Sequence, residues 1–291
     1  MIEFAKSNLA TIGMFFFKGD CNWRHNFNCQ PELHPLIGVF FLIGIITAIR
    51  GLLKSQITST KSQTSTNNQN SNVQNRRVLL AWLFFLSLPA TLTREGLPHA
   101  LRAIGMIPPV MILAGLGAWK FLELIFLWLE KQKEKWPQYA AQLARIRREV
   151  ALLFILVLLL VPVFTFRNYF VRWANNPNTY FAFSADLLHL GQFLNNLPLE
   201  TKKYVVVNLP GAEVRGIPMP AQTVMFVTDT FREEKRRRKN IQYILPSELE
   251  KITLGEDKTI IGLLKGDDRE VLRPLQERFP ELKVKAPGDF V

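Results

Sequence analysis

Acidic residues are absent between Arg50 and Arg77, and charge of either sign is absent from four apolar runs, Leu36–Ile49, Val78–Thr93, Ala103–Trp119 and Val150–Phe166. Cysteines number 2 and histidines 4 in 291 residues. Cys21 and Cys29, taken with His25 and His34, match no standard zinc spacing. No glycine-rich phosphate loop follows any expected strand, which argues against a nucleotide site. No HExxH, no Ser-His-Asp order and no paired carboxylates in a recognisable loop occur, so the common hydrolase constellations find no support.

The four uncharged runs are 14 to 17 residues long, a little under the ~20 that span a bilayer. Flanking apolar residues past Arg50 and Lys120, and cationic side chains that snorkel, supply the missing length. Four such runs in series predict an integral membrane protein. Their flanks orient it. Lys54, Lys61, Arg76 and Arg77 follow the first run, and Lys131, Lys133, Lys135, Arg145, Arg147 and Arg148 follow the third. Positively charged connections stay in the cytoplasm. Residues 1–35, 94–102 and 167–291 are therefore expected outside. The net charge of +12 reads as a topology signal, and nucleic acid is not the expected partner, because the basic residues flank lipid-spanning runs.

The expected fold class is an α-helical polytopic membrane region of about four transmembrane helices followed by a small extracytoplasmic α/β domain. Residues 1–35 form an outside loop with an interfacial helix through Phe4, Leu9, Ile12 and Phe15 or Phe16. Residues 36–166 form the membrane region, with a flexible cytoplasmic linker at 54–77, rich in Ser, Thr, Gln and Asn. Trp136, Tyr139, Leu143 and Ile146 suit an amphipathic helix on the inner leaflet. In 167–291 the spacing predicts a helix over Tyr180–Leu197 and another over Glu270–Phe279, with His189 as a core or rim residue. It predicts strands over Tyr204–Asn208, Thr223–Thr228, Ile241–Leu245 and Thr259–Leu264. The charge run Arg232–Lys239 reads as a solvated face. An outside N-terminus lacks an export signal, because Glu3 and Lys6 interrupt Met1–Phe17. The chain is thus expected to be the C-terminal portion of a longer membrane protein; the alternative is that Leu9–Phe17 inserts as a re-entrant or interfacial helix.

Two outside clusters carry candidate chemistry. The first holds Asp20, Arg24 and His25; an aspartate could bind a metal or act as a base, and an arginine could clamp a phosphate. The second is Thr93–Arg102, where Pro98 could begin a helix whose first turn holds His99 and Arg102. A cationic pocket there suits a lipid phosphate. For both, ordinary loop or headgroup contacts are the competing reading. Pro108-Pro109 are expected to break the ladder of the third span. Cys21 and Cys29 are either a disulfide pinning the first loop or two free thiols.

Met14–Asp20 with Trp23-Arg24-His25-Asn26, and Glu95–Gly105 followed by Pro108-Pro109, resemble loops of bacterial membrane glycosyltransferases of the GT-C type. The group is that of the dolichyl-phosphate-mannose protein mannosyltransferases and aminoarabinose transferases. The resemblance implies a polyprenyl-phosphate-linked sugar as donor, transferred outside the bacterial inner membrane to a protein, lipid or glycan acceptor. Arg102 and His99 would face the lipid phosphate, with Arg24 and His25 nearby. Asp20 and Glu95 would orient the loops, and Asp20 could serve a divalent metal. The family's main catalytic acid lies in a first outside loop that has no counterpart here, so this chain alone is expected to be inactive. A different class remains open: a noncatalytic membrane protein presenting a binding domain outside. A transporter fragment is weaker, resting on Lys120 and Glu123 within one span.

Overall fold

The structure, a computed structural model, describes residues 2–59, 67–93, 96–214, 216–254 and 258–284. It divides into two compact units, Met1–Asn176 and Pro177–Val291. The first is helical: α1 (Ile2–Gly13), α2 (Pro35–Ser59), α3 (Asn67–Thr91), α4 (Ile107–Lys135, entered through a 3₁₀ turn at Leu101–Met106) and α5 (Ala140–Phe166, continued by a wide turn at Arg167–Trp173).

Three helical stretches are long and apolar enough to cross a membrane: Pro35–Lys54, Leu101–Lys135 and Pro137–Trp173. Their outward faces carry Leu42, Ile46, Ile112, Trp119, Leu152, Leu156, Leu159 and Val163, all exposed. α5 buries none of its residues. Exposed apolar side chains on helices of this length suit lipid rather than water. α3 falls short as a span because its first half is polar and its apolar part begins only after Arg76-Arg77.

α2 and α4 hold the unit together. Gly44 faces the backbone of Leu113, and Gly117 faces that of Phe40 and Gly44; a Cβ at either glycine would come within 1.8 Å of a carbonyl oxygen. Ala48, Ala114 and Ala118 extend the contact. Small residues let helix backbones approach closely in lipid, where packing rather than water drives association. Phe40, Phe41, Val110, Leu113 and Met106 fill the core beside them. α5 leans on it through Phe154, whose ring lies 5.7 Å from Phe40, and through Arg147, which donates to Glu130 at 2.8 Å.

Several expectations need correction. The 54–77 stretch is helical at both ends, since α2 runs to Ser59 and α3 starts at Asn67; a helix already nucleated by an apolar span adds polar residues at little cost. Residues 60–66 lie outside the described residues. Pro108 and Pro109 do not break a span, because they occupy the first turn of α4, where a missing N–H costs nothing. Pro98 starts no helix, which begins only at Leu101. The 140–149 segment is the first part of α5 rather than a separate surface helix. Residues 167–176, expected in the outside domain, pack with the first unit. The α1 helix turns Phe4, Leu9 and Ile12 outward and buries Ser7 and Thr11; Ser7 Oγ donates to the Thr91 carbonyl at 2.6 Å.

The second unit contains α6 (Pro177–Ala182), α7 (Ala185–Asn196), β1 (Lys202–Val206), the short pair β2 (Glu213–Val214) and β3 (Ile217–Pro218), α8 (Ala221–Thr228), α9 (Glu233–Lys239), β4 (Ile241–Ile244), β5 (Thr259–Leu263) and α10 (Arg269–Arg278). β1 lies between β4 and β5, parallel to both. Val205 and Val207 pack on one face with Leu187, Leu190 and Val224, while Tyr204 and Val206 pack on the other with Val271 and Leu275. That alternation is the period-2 pattern of a strand covered on both faces. The helix expected over 180–197 is split by Ser184, whose φ is 55°. His189 is an exposed rim residue that bonds Tyr180. The stretch 223–228 is helix, not strand. It buries Ala221, Val224, Met225 and Thr228, an i, i+3, i+4, i+7 face that a short apolar run cannot distinguish from a buried strand. α9 buries nothing.

Candidate functional site

Three segments of the first unit meet at one end of its helices: the loop 18–34 ahead of α2, the turn 96–100 ahead of α4, and the wide turn that ends α5. Trp173 Nε1 donates to the Trp23 carbonyl at 3.0 Å. Tyr169 Oη donates to Asn26 Oδ1 at 3.1 Å. Asn26, fully buried, in turn donates from Nδ2 to the carbonyls of Gln30 at 2.7 Å and Asp20 at 3.2 Å. The loop is closed by a disulfide between Cys21 and Cys29, so neither sulfur is available as a thiolate ligand. Gly19 donates to the Cys29 carbonyl at 3.1 Å. It must be glycine, because a Cβ would sit 2.1 Å from the Gln30 carbonyl oxygen.

Asp20 is the centre of this arrangement. Its residue is 4% exposed. Oδ1 accepts the Asn22 N–H at 2.8 Å. Oδ2 accepts the Ala100 N–H at 2.9 Å, across 80 residues of sequence. Oδ2 also lies 2.8 Å from His25 Nδ1. Against a carboxylate, His25 Nδ1 is the donor of this bond. The His25 and His99 rings stack with centroids 4.8 Å apart, and His99 Nδ1 is 3.9 Å from Asp20 Oδ2. Asp20, His25 and His99 offer three potential ligand atoms, all within 4.8 Å of one another. Burial, then the nearby charges of Arg102 and His25, hold the His99 imidazole below its ordinary pKa. It is therefore neutral at neutral pH.

A cavity of about 360 Å³ opens beside this cluster. Met14, Phe15, Ile104, Ile107, Val110 and Met111 form an apolar wall, while Arg24, His25, Glu32 and Tyr169 supply a polar one. A cavity of that size, apolar with a few convergent polar groups, is the usual form of a ligand site. The structure thus brings Asp20, Arg24, His25 and His99 together. Arg102, half-buried in the 3₁₀ turn that enters α4, lies close enough to act on His99 but does not line the cavity. Glu95 lies outside the described residues.

Sequence reasoning missed Glu32, Asn26 and Tyr169. The Asn26 signal was available in the Trp-Arg-His-Asn run, whereas Glu32 sits between prolines with nothing to mark it. Burial, and to a lesser degree the charge of Asp20, raise the Glu32 carboxyl above its ordinary 4.5; the Asp20 N–H, donated to Oε1, opposes this. The protonated form is therefore favoured by folding. That contribution is complete below pH 4.5 and lost as pH rises through the higher folded-state value. Glu32→Gln keeps the acceptor oxygen and removes the charge. Its melting temperature should exceed that of the wild type at neutral pH, with the gap closing towards pH 4. A gap independent of pH would show that ionised Glu32 is not held at a cost.

No family profile, no curated protein and no solved structure matches this chain.

Proposed function

We propose that the first unit binds the lipid phosphate of a polyprenyl-phosphate sugar at the outer face of a bacterial inner membrane, as the C-terminal part of a GT-C type glycosyltransferase. The observation that carries this reading is the two-sided cavity. An apolar wall suits a prenyl chain, and Arg24 beside His25 suits its phosphate. His99 and Arg102 stand behind them as further positive or hydrogen-bonding groups.

Four spans fit this reading better than three. The chain ahead of α2, ahead of α4 and at the end of α5 meets at one place, which supports α3 as the return crossing. Arg76 and Arg77 would snorkel at the cytoplasmic end of α3 and extend its short apolar part. The positively charged 130–148 connection would then lie inside, and the second unit, reached after Asn176, would begin outside. Membrane lipids are the expected neighbours of α5.

In transfer, the acceptor hydroxyl attacks the anomeric carbon and gives its proton to a general base, the bond to the phosphate oxygen breaks, and the polyprenyl phosphate departs with that electron pair. Cations and donors at that phosphate stabilise the charge it gains. Binding alone tests this chain. Arg24→Ala should weaken binding of undecaprenyl phosphate to the detergent-solubilised protein by roughly 10- to 100-fold, the scale of a lost charge-assisted bond. Arg102→Ala should do so less, because it stands behind the lining. Wild-type affinity in both variants would remove the phosphate from this cavity.

A further inference from the structure

We propose that Asp20, His25 and His99 form a binding site for a divalent transition-metal ion of the zinc class. Binding of the ion does not depend on the lipid-phosphate reading; only its use on a phosphate oxygen does.

The first argument is an orphan. His99 Nδ1 is buried and has no hydrogen-bond partner among the described residues, yet it lies 3.9 Å from a carboxylate oxygen. That gap is too long for a hydrogen bond and roughly half an ångström wider than the ~3.3 Å between two ligand atoms on one tetrahedral zinc ion. An ion that draws the two atoms slightly together satisfies both.

The second argument is the donor set. Two imidazoles and one carboxylate select zinc, cobalt or manganese over calcium and magnesium, which take oxygen ligands. Three protein ligands with a further position open are the arrangement of a site that works on a bound group rather than one that only staples a fold. His25 lines the cavity, which puts the site at its edge.

The third argument is support around the ligands. Asp20 is held by backbone N–H groups on both oxygens, from Asn22 and Ala100. The second of these belongs to the residue after His99, so one hydrogen bond sets the separation of two ligands from distant loops. Such outer contacts fix ligand geometry before the ion arrives. The three ligand atoms already lie within 4.8 Å of one another, against roughly 3.3 Å for pairs on a tetrahedral ion.

The test uses the purified chain in detergent micelles, stripped with chelator. Calorimetric titration with Zn²⁺ should give one equivalent in the wild type. His99→Ala and Asp20→Asn should each weaken it at least 100-fold, and His189→Ala should leave it unchanged. Co²⁺ should give visible absorption bands of a nitrogen- and oxygen-ligated site in the wild type. Wild-type Zn²⁺ affinity in His99→Ala, or no tight Zn²⁺ equivalent in the wild type, overturns the proposal. Should His99→Ala not fold, the wild-type Co²⁺ spectrum decides, and absence of those bands overturns it. Loss of undecaprenyl phosphate binding with Zn²⁺ binding intact would refute the lipid reading alone.

Discussion

Replacing Asp20 with alanine should lower the stability of the first unit by roughly 3 kcal/mol. The carboxylate accepts the backbone N–H groups of Asn22 and Ala100 and the His25 imidazole. Truncation leaves two N–H groups and a ring nitrogen in a pocket from which the residue itself is nearly sealed. Each buried donor without a partner costs about 1–3 kcal/mol. The bond to Ala100 is also a tie between loops, so its loss frees the turn ahead of α4. The measurement is thermal unfolding in detergent followed by tryptophan fluorescence, for which Trp23 and Trp173 sit at the loop itself. Asp20→Asn should lie between the wild type and Asp20→Ala, since one oxygen can still accept. Equal melting of Asp20→Ala and wild type would mean that the loop is held by its disulfide and aromatic contacts alone.

The same substitution made at three glycines should have two opposite effects. Gly44→Ala and Gly117→Ala each place a Cβ within 1.8 Å of a carbonyl oxygen of the facing helix. No rotamer change relieves a clash with backbone, so α2 and α4 must separate. The expected loss is about 3 kcal/mol or more, at the upper end for overpacking. Gly115→Ala, two residues from Gly117, meets nothing within 4 Å. It should be neutral or gain up to about 1 kcal/mol from helix propensity. Thermal unfolding of the three variants side by side measures this. Three equal melting temperatures would show that the α2–α4 approach is not set by these glycines.

What was legible in the sequence was what short-range pattern encodes. Uncharged runs marked the three long apolar helices, and short buried apolar runs marked β1, β4 and β5. Where one pattern serves two structures, reading failed: 223–228 is β-branched and apolar, yet its burial repeats every three to four residues. Pro108 and Pro109 were read as a break because the start of α4 could not be placed to within one turn. The site was half legible. Asp20, Arg24, His25 and His99 were singled out by residue type, but nothing local says that Asp20 meets Ala100 across 80 residues. Glu32 and Tyr169 were invisible because their role comes from being folded against that loop.

The ties from Tyr169 and Trp173 back to the first loop also set a clock on biosynthesis. The donor for the Trp23 carbonyl is 150 residues downstream. At ~5–20 residues per second, roughly 8 to 30 seconds of translation separate the two partners. During that interval the loop has left the ribosome while its anchoring helix has yet to be made. The cavity walled in part by Tyr169 is thus the last portion of the first unit to close. A chain halted before residue 169 would carry every helix from α1 to α5 and no finished site.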